Sequence, residues 1–307
     1  MKRSLLNCLV VVTCFVCTIY LVACIQSVSP QLTGTAVLPV SPTPSTSTLK
    51  TIITSTKTTE PTVSPTLAAE EALTFIKQMQ RINGECRLPC WWGITPGITT
   101  LDEARQVFAP LRHYRTTRGT VGVSYPDYSG IDASIEAENG IVKEIWVFAS
   151  TFRIDKGNNI EYLPFDESWY PYSLRGVLEQ LGPPSKAQIG FGTVIDAVGN
   201  EYFDQYELHV FYNDAGLIVR YTGLPDETET GNVRACFALS QAVDIRVYIR
   251  EPVISSDGLQ VPPWDYLTNP KSLEEATHLS LVEFYENFQG DQDCLDSPSS
   301  LWLNLHE

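Results

Sequence analysis

Residues 131–148 read IDASIEAENGIVKEIWVF, and this stretch decides the fold class. Ile131, Ala133, Ile135 and Ala137 alternate with polar residues, the period of two that sends apolar side chains to one face of a strand. Asn139-Gly140 supplies two residues that tolerate a left-handed backbone, and Ile141 to Phe148 returns as the partner strand. The stretch predicts an antiparallel hairpin. Working upstream, Thr100-Leu101-Asp102-Glu103 has the layout of a capping box, and the helix it opens carries Leu101, Ala104, Phe108 and Leu111 on one face. A further amphipathic helix is expected around Ala68 to Ile82, with Ala69, Ala72, Ile76 and Met79 aligned.

The same order recurs downstream. Ser173 can cap a helix carrying Leu174, Val177, Leu178 and Leu181, which Gly182 stops and Pro183-Pro184 cannot continue. Strands follow near Lys186 to Phe191 and Tyr206 to Tyr212, then a turn at Asn213 to Gly216 and a strand from Leu217 to Thr222. Cap and hairpin turn are 39 residues apart in the first case (100 to 139) and 40 in the second (173 to 213). The pattern predicts an α+β body of tandem helix-plus-antiparallel-sheet units, with helices packed on one sheet face: unit one about 92–150, unit two about 170–222. Residues 233–307 add strands at Val233 to Leu239 and Ala242 to Ile249. A capping box at Ser272 to Glu275 then opens one helix bearing Leu281, Phe284, Tyr285 and Phe288, and a tail with Trp302 docks on the body.

Gly97-Ile98-Thr99-Thr100 leading into Ala104-Arg105-Gln106-Val107-Phe108, together with Val177-Leu178-Glu179-Gln180-Leu181-Gly182-Pro183-Pro184, resembles the two halves of a short motif in the BamE-like and β-lactamase-inhibitor-protein-like families. The resemblance implies helices on one face of an antiparallel sheet and an activity of binding other proteins. Cys86-Arg87-Leu88-Pro89-Cys90-Trp91-Trp92-Gly93 is also similar to a segment of uncharacterised lipoproteins with this layout.

Before the body, Lys2-Arg3 precedes an apolar run from Leu5 to Ala23, the layout of a secretion signal over residues 1–23. Its end, Leu21-Val22-Ala23-Cys24, resembles the bacterial lipobox, which implies that Cys24 becomes the lipidated N-terminus. Ile25, in place of Asp, implies by resemblance to sorted lipoproteins an outer-membrane address in a two-membrane cell. The alternative is an uncleaved signal anchor, because the run is long enough to span a bilayer. Either way the body from residue 69 to 307 faces the extracytoplasmic side. Residues 26–68 hold 7 Ser, 12 Thr and 6 Pro, a composition that cannot bury a core and reads as an extended tether, residues 24–68 with the lipidated Cys.

The body carries 17 Lys and Arg against 35 Asp and Glu, which repels phosphate backbones and anionic lipid heads. Nucleic-acid binding is excluded on that ground, and membrane contact must come from the lipid anchor. Cys86, Cys90, Cys236 and Cys294 permit three pairings in an oxidising compartment. Pairing Cys86 with Cys90 needs only a tight loop and leaves Cys236 for Cys294, stapling the tail to the sheet; a thiol redox pair or a zinc site is the functional alternative.

Catalytic patterns are sparse. Gly122-Val123-Ser124-Tyr125-Pro126 has Pro where a nucleophile elbow needs Gly, and strand rather than helix follows. There is no His-Glu-x-x-His, no Walker loop and no dinucleotide fingerprint, so no cofactor or metal is implied. His113, His209, His278 and His306 are scattered and read as structural or surface residues. Asp291, Asp293 and Asp296 lack the spacing of a calcium loop and read as a solvated turn, as does Asp226 to Glu229.

Aromatics remain as candidates for recognition: Trp91 and Trp92 beside the small disulfide loop, and Trp169, Tyr170 and Tyr172 ahead of the second helix. They either form an exposed patch or pack over the disulfide and between the units. The expected function is a membrane-anchored, non-catalytic protein-binding or envelope-assembly module. An envelope hydrolase acting on glycan or peptide through two carboxylates is the rival, and a plain spacer the third option.

Overall fold

The computed structural model describes residues 66–111, 114–117, 120–125, 131–154, 160–195, 201–228, 231–252, 258–261 and 270–303. The leader, Cys24 and the tether up to residue 65 lie outside them, as do His113, Pro126 and His306. Among the described residues the helices are α1 (Ala69–Ile82), α2 (Leu101–Phe108), α3 (Leu174–Leu181), α4 (Leu273–Thr277) and α5 (Leu281–Gln289). The strands are β1 (Tyr114–Thr117), β2 (Thr120–Tyr125), β3 (Ile131–Glu138), β4 (Ile141–Ser150), β5 (Phe152–Ile154), β6 (Ile160–Tyr162) and β7 (Lys186–Ile195). They continue with β8 (Glu201–Tyr212), β9 (Leu217–Gly223), β10 (Asp226–Glu227), β11 (Asn232–Cys236), β12 (Ala242–Arg250), β13 (Lys271–Ser272) and β14 (Cys294–Pro298). Nine of them form one antiparallel sheet in the order β1-β2-β3-β4-β12-β9-β8-β7-β13, and β10-β11-β14 and β5-β6 form two small ones.

The deciding hairpin is β3–β4. Asn139 (φ 53°) and Gly140 (φ 81°) both take positive φ, the pair of conformations that a type I′ turn needs to match strand twist. Ile135 then faces Ile145 and Ala133 faces Val147, so the period-two residues meet on one buried face. The second turn uses Gly216 (φ 66°), where a Cβ would stand 2.1 Å from the Arg250 carbonyl oxygen, so β9 approaches β12 in a way only glycine permits.

Helix starts follow their caps. Thr100 Oγ1 accepts from the Glu103 N–H (3.2 Å) while the Glu103 carboxylate accepts from the Thr100 N–H (2.8 Å). Ser173 Oγ accepts from the Gly176 N–H at the head of α3. The single helix expected after Ser272 is instead two. His278 ends α4 in the left-handed region, and Ser280 with Glu283 forms a second capping box that starts α5. The strand expected at 233–239 ends at Cys236 and belongs to a small sheet, where Cys236 lies directly opposite Cys294. Trp302 does dock: it is fully buried against Phe191, and its indole N–H donates to Ser297 Oγ (2.8 Å).

One core cluster holds Ala72 and Ile76 of α1, Leu101, Ala104 and Phe108 of α2, Leu174, Val177 and Leu178 of α3, and Phe284 and Phe288 of α5. The same cluster holds Ile135, Val147, Val219, Leu208 and Ile189 from the sheet. Burying Phe108 completely is worth about 3 kcal/mol in transfer free energy. The opposite side of the sheet has a separate, smaller cluster of Phe211, Ile218, Tyr248 and Leu259.

Candidate ligand-binding surface

Both disulfides form with the expected pairing, Cys86–Cys90 and Cys236–Cys294. What organises the first loop is a residue that sequence reading passed over. Asn83 ends α1 with φ 47° and is 2% exposed. Its Oδ1 accepts from the Trp92 N–H (3.0 Å) and the Tyr172 hydroxyl (2.6 Å), and its Nδ2 donates to the carbonyls of Cys86 (3.1 Å) and Cys90 (2.7 Å). Every hydrogen-bonding position of the amide is used. The signal for it was present: Asn-Gly after an amphipathic helix is a left-handed helix terminus.

This network turns the aromatics inward. Trp91 and Trp92 stack 4.5 Å apart, Trp169 packs edge-on between Phe165 and Tyr172, and all of Trp91, Trp92, Trp169 and Tyr172 are buried. Burial also pushes the Tyr172 hydroxyl well above its ordinary titration range, so it stays a protonated donor to Asn83. Of the two alternatives for these four residues, the structure has core packing and not an exposed patch. Tyr170 alone of the five is exposed, its hydroxyl donating to Glu179 (2.8 Å) beside a shallow 260 Å³ hollow that includes Arg81, Ile82 and Arg87.

Other sequence candidates disperse. Gly122 to Tyr125 lies inside β2, paired along its length with β3, rather than in a strand-to-helix turn. Asp293 pairs with Arg175 (2.9 Å) and Asp296 with Arg234 (2.6 Å), so these carboxylates do not converge. Among the described residues no group of three metal-ligating side chains assembles. His209 is fully buried against Phe211.

The sheet's second face carries the richest surface chemistry. Register places Ser134, Trp146, Tyr248, Ile218, Phe211 and Lys186 in one row across six strands. The next row is Asp132, Phe148, Arg246, Arg220, His209 and Gln188. Toward β8 this face is closed: Leu259 packs on Phe211 and Ile218, anchored by its N–H donating to Asn213 Oδ1 (3.0 Å). There Arg220 and Glu207 form a buried ion pair (2.5 Å), with the Arg220 Nε also donating to Thr222 (3.3 Å).

Toward β3 the face opens. Cavities of about 410 and 420 Å³ lie on either side of Trp146 and Tyr248, which meet edge to face at 5.0 Å. Arg246 stands 4.8 Å over the Phe148 ring and pairs with Asp244 (3.2 Å). Asp132 and Glu136 are exposed along β3 with Ser134 between them, and Glu136 lies directly opposite Glu144, which is 3.7 Å from Arg250. This site was missed because only one phase of the hairpin was read. The run Ile145 to Phe148 is apolar at both phases, which marks a strand with two apolar faces.

Comparison with known proteins adds no relative: no protein-family profile matches the chain, and neither a curated protein nor a solved structure matches it.

Proposed function

We propose that the chain is a lipid-anchored extracytoplasmic module, held to the membrane through Cys24 and the Ser/Thr/Pro tether, that binds a partner protein without catalysis. The observation that carries the reading is the open groove on the outer sheet face, where Trp146, Phe148 and Arg246 stay half exposed beside Tyr248. Aromatic side chains and arginine in a shaped hollow are the residue types that dominate protein–protein binding energy. In this reading the chain is a duplicated helix-then-three-strand unit. Support comes from the orders α2-β1-β2-β3-β4 and α3-β7-β8-β9, the first with β1 as an extra strand, whose last strands β4 and β9 both pair with β12. The helices lie on the core side, leaving the other side for the ligand.

The test is recovery of crosslinked partners from the envelope with the full chain and with Trp146→Ala. A specific partner lost in the variant supports the reading, and an unchanged set of partners refutes it. Cys24→Ala is expected to release the protein from the membrane fraction.

One observation favours the rival hydrolase: Glu136 and Glu144 stand in one cavity. They are neighbours on the same floor, paired across adjacent strands, whereas glycoside hydrolysis needs carboxylates on either side of the scissile bond. Turnover of an envelope glycan or peptide that disappears in Glu136→Gln supports the hydrolase.

A further inference from the structure

We infer that the outer-face groove takes an extended peptide segment that presents two lysine or arginine side chains flanking an apolar one, an inference that rests on the binding-module reading above. Glu136 and Glu144 face each other across β3 and β4, and like charges in directly opposed positions are unfavourable. Arg250 lies 3.7 Å from Glu144. Among the described residues, the side chains of Asp132 and Glu136 make no hydrogen bond or ion pair. The groove's cations, by contrast, have carboxylate partners: Arg246 with Asp244 and Arg250 with Glu144. Among the residues that line the two cavities the uncommitted charge is negative, exposed Arg115 of the same row lying two strands away on β1, and the body has twice as many acidic as basic residues.

The aromatic floor suits the same ligand. Trp146 and Tyr248 line the cavity that holds Glu136 and Glu144, and ring faces attract ammonium and guanidinium groups. The sheet already uses this contact internally, with the Arg246 guanidinium over Phe148.

Spacing selects a peptide over a small cation. Asp132, Ser134 and Glu136 project from one side of β3, so the two carboxylates stand about 13 Å apart along the strand. An extended chain repeats its side chains on one side every two residues, at the same rise. Cations at positions i and i+4 therefore meet Asp132 and Glu136, and the residue at i+2 lies over Ser134 and the Trp146 ring directly opposite.

The test uses the full chain in phosphatidylcholine nanodiscs and three fluorescent probes: a short peptide centred on Lys-Ser-Leu-Ser-Lys, its Glu-Ser-Leu-Ser-Glu counterpart, and an N-acetylglucosamine oligosaccharide. The lysine peptide is expected to bind, about 2- to 5-fold more weakly for each carboxylate removed in Asp132→Asn/Glu136→Gln. Trp146→Ala is expected to lose about tenfold. Glu274→Gln/Glu286→Gln makes the same charge change elsewhere on the surface and is expected to leave binding within about twofold. Equal binding of the glutamate peptide, or equal effects of the two double variants, overturns the inference. If a photocrosslinker at Ser134 captures a protein in cells while the lysine peptide is ignored, the inference fails and the binding-module reading stands. If only the oligosaccharide binds, in a Trp146-dependent way, both fail.

Discussion

Replacing Asn83 tests whether one buried amide holds the disulfide loop and its tryptophans in place. In Asn83→Ala four hydrogen bonds vanish, and the Trp92 N–H, the Cys90 carbonyl and the Tyr172 hydroxyl lose their partner in a buried setting. At about 1–3 kcal/mol for each stranded group, discounted for relaxation, the loss is about 3–5 kcal/mol. Alanine in the left-handed region adds about 1 kcal/mol, so Asn83→Gly is expected to be milder by that amount. Asn83→Asp keeps both acceptor contacts but aims a carboxylate at two carbonyl oxygens. Burial and those dipoles raise its folded-state pKa, so this variant's stability relative to wild type is best below about pH 4 and falls as pH rises toward neutrality. The assay is urea unfolding followed by the fluorescence of the six tryptophans, with wild type at each pH as reference. A loss under 1 kcal/mol in Asn83→Ala, or an Asn83→Asp deficit that does not change between pH 3 and 7, refutes the reasoning.

Three further outcomes follow from the geometry. Removing Cys236–Cys294, which closes 58 residues, is expected to cost about 4 kcal/mol in the chain-entropy account, against about 2 kcal/mol for Cys86–Cys90, which closes 4; urea midpoints of the two double-alanine variants measure the difference. At the buried ion pair, Arg220→Met alone is expected to cost about 3–5 kcal/mol by taking away the charged partner of Glu207, and Arg220→Met/Glu207→Leu to recover most of it; a double variant as damaged as the single one contradicts this. Glu103, Glu275 and Glu283 are held below the usual carboxylate range by hydrogen bonds from their cap residues, and Asp296 by its hydrogen bonds from Arg234. Lowered folded-state values mean stability that is present above about pH 4 and is lost as pH falls through them, so acid unfolding is expected to be shallower in Glu103→Gln/Glu275→Gln/Glu283→Gln.

Local signals carried most of the architecture. The Asn139-Gly140 turn, the Thr100 and Ser173 caps and the Cys86–Cys90 pairing all act over a few residues, each holds in the structure, and the short loop leaves Cys236 for Cys294. The helix after Ser272 was read as one because apolar periodicity continued through it; the second Ser-x-x-Glu at Ser280 is a short-range signal that periodicity masked. The proposed binding surface was illegible for a different reason. Asp132, Phe148 and Arg246 lie on three strands, two of which pair only after 91 intervening residues have been laid down between Ile141–Ser150 and Ala242–Arg250 in chain order, and no pattern in a single segment encodes that register. Trp91 and Trp92 drew attention by residue type alone, and the amide of Asn83 decides that they face inward.

The most direct test of the binding-surface account is site-specific photocrosslinking in intact cells of the full chain, with the photoreactive residue at Ser134 in one protein and at Glu179, beside Tyr170, in another. The account predicts a discrete adduct from Ser134 that vanishes with Trp146→Ala, and none from Glu179. An adduct from Glu179 alone, or a Ser134 adduct indifferent to Trp146, contradicts it.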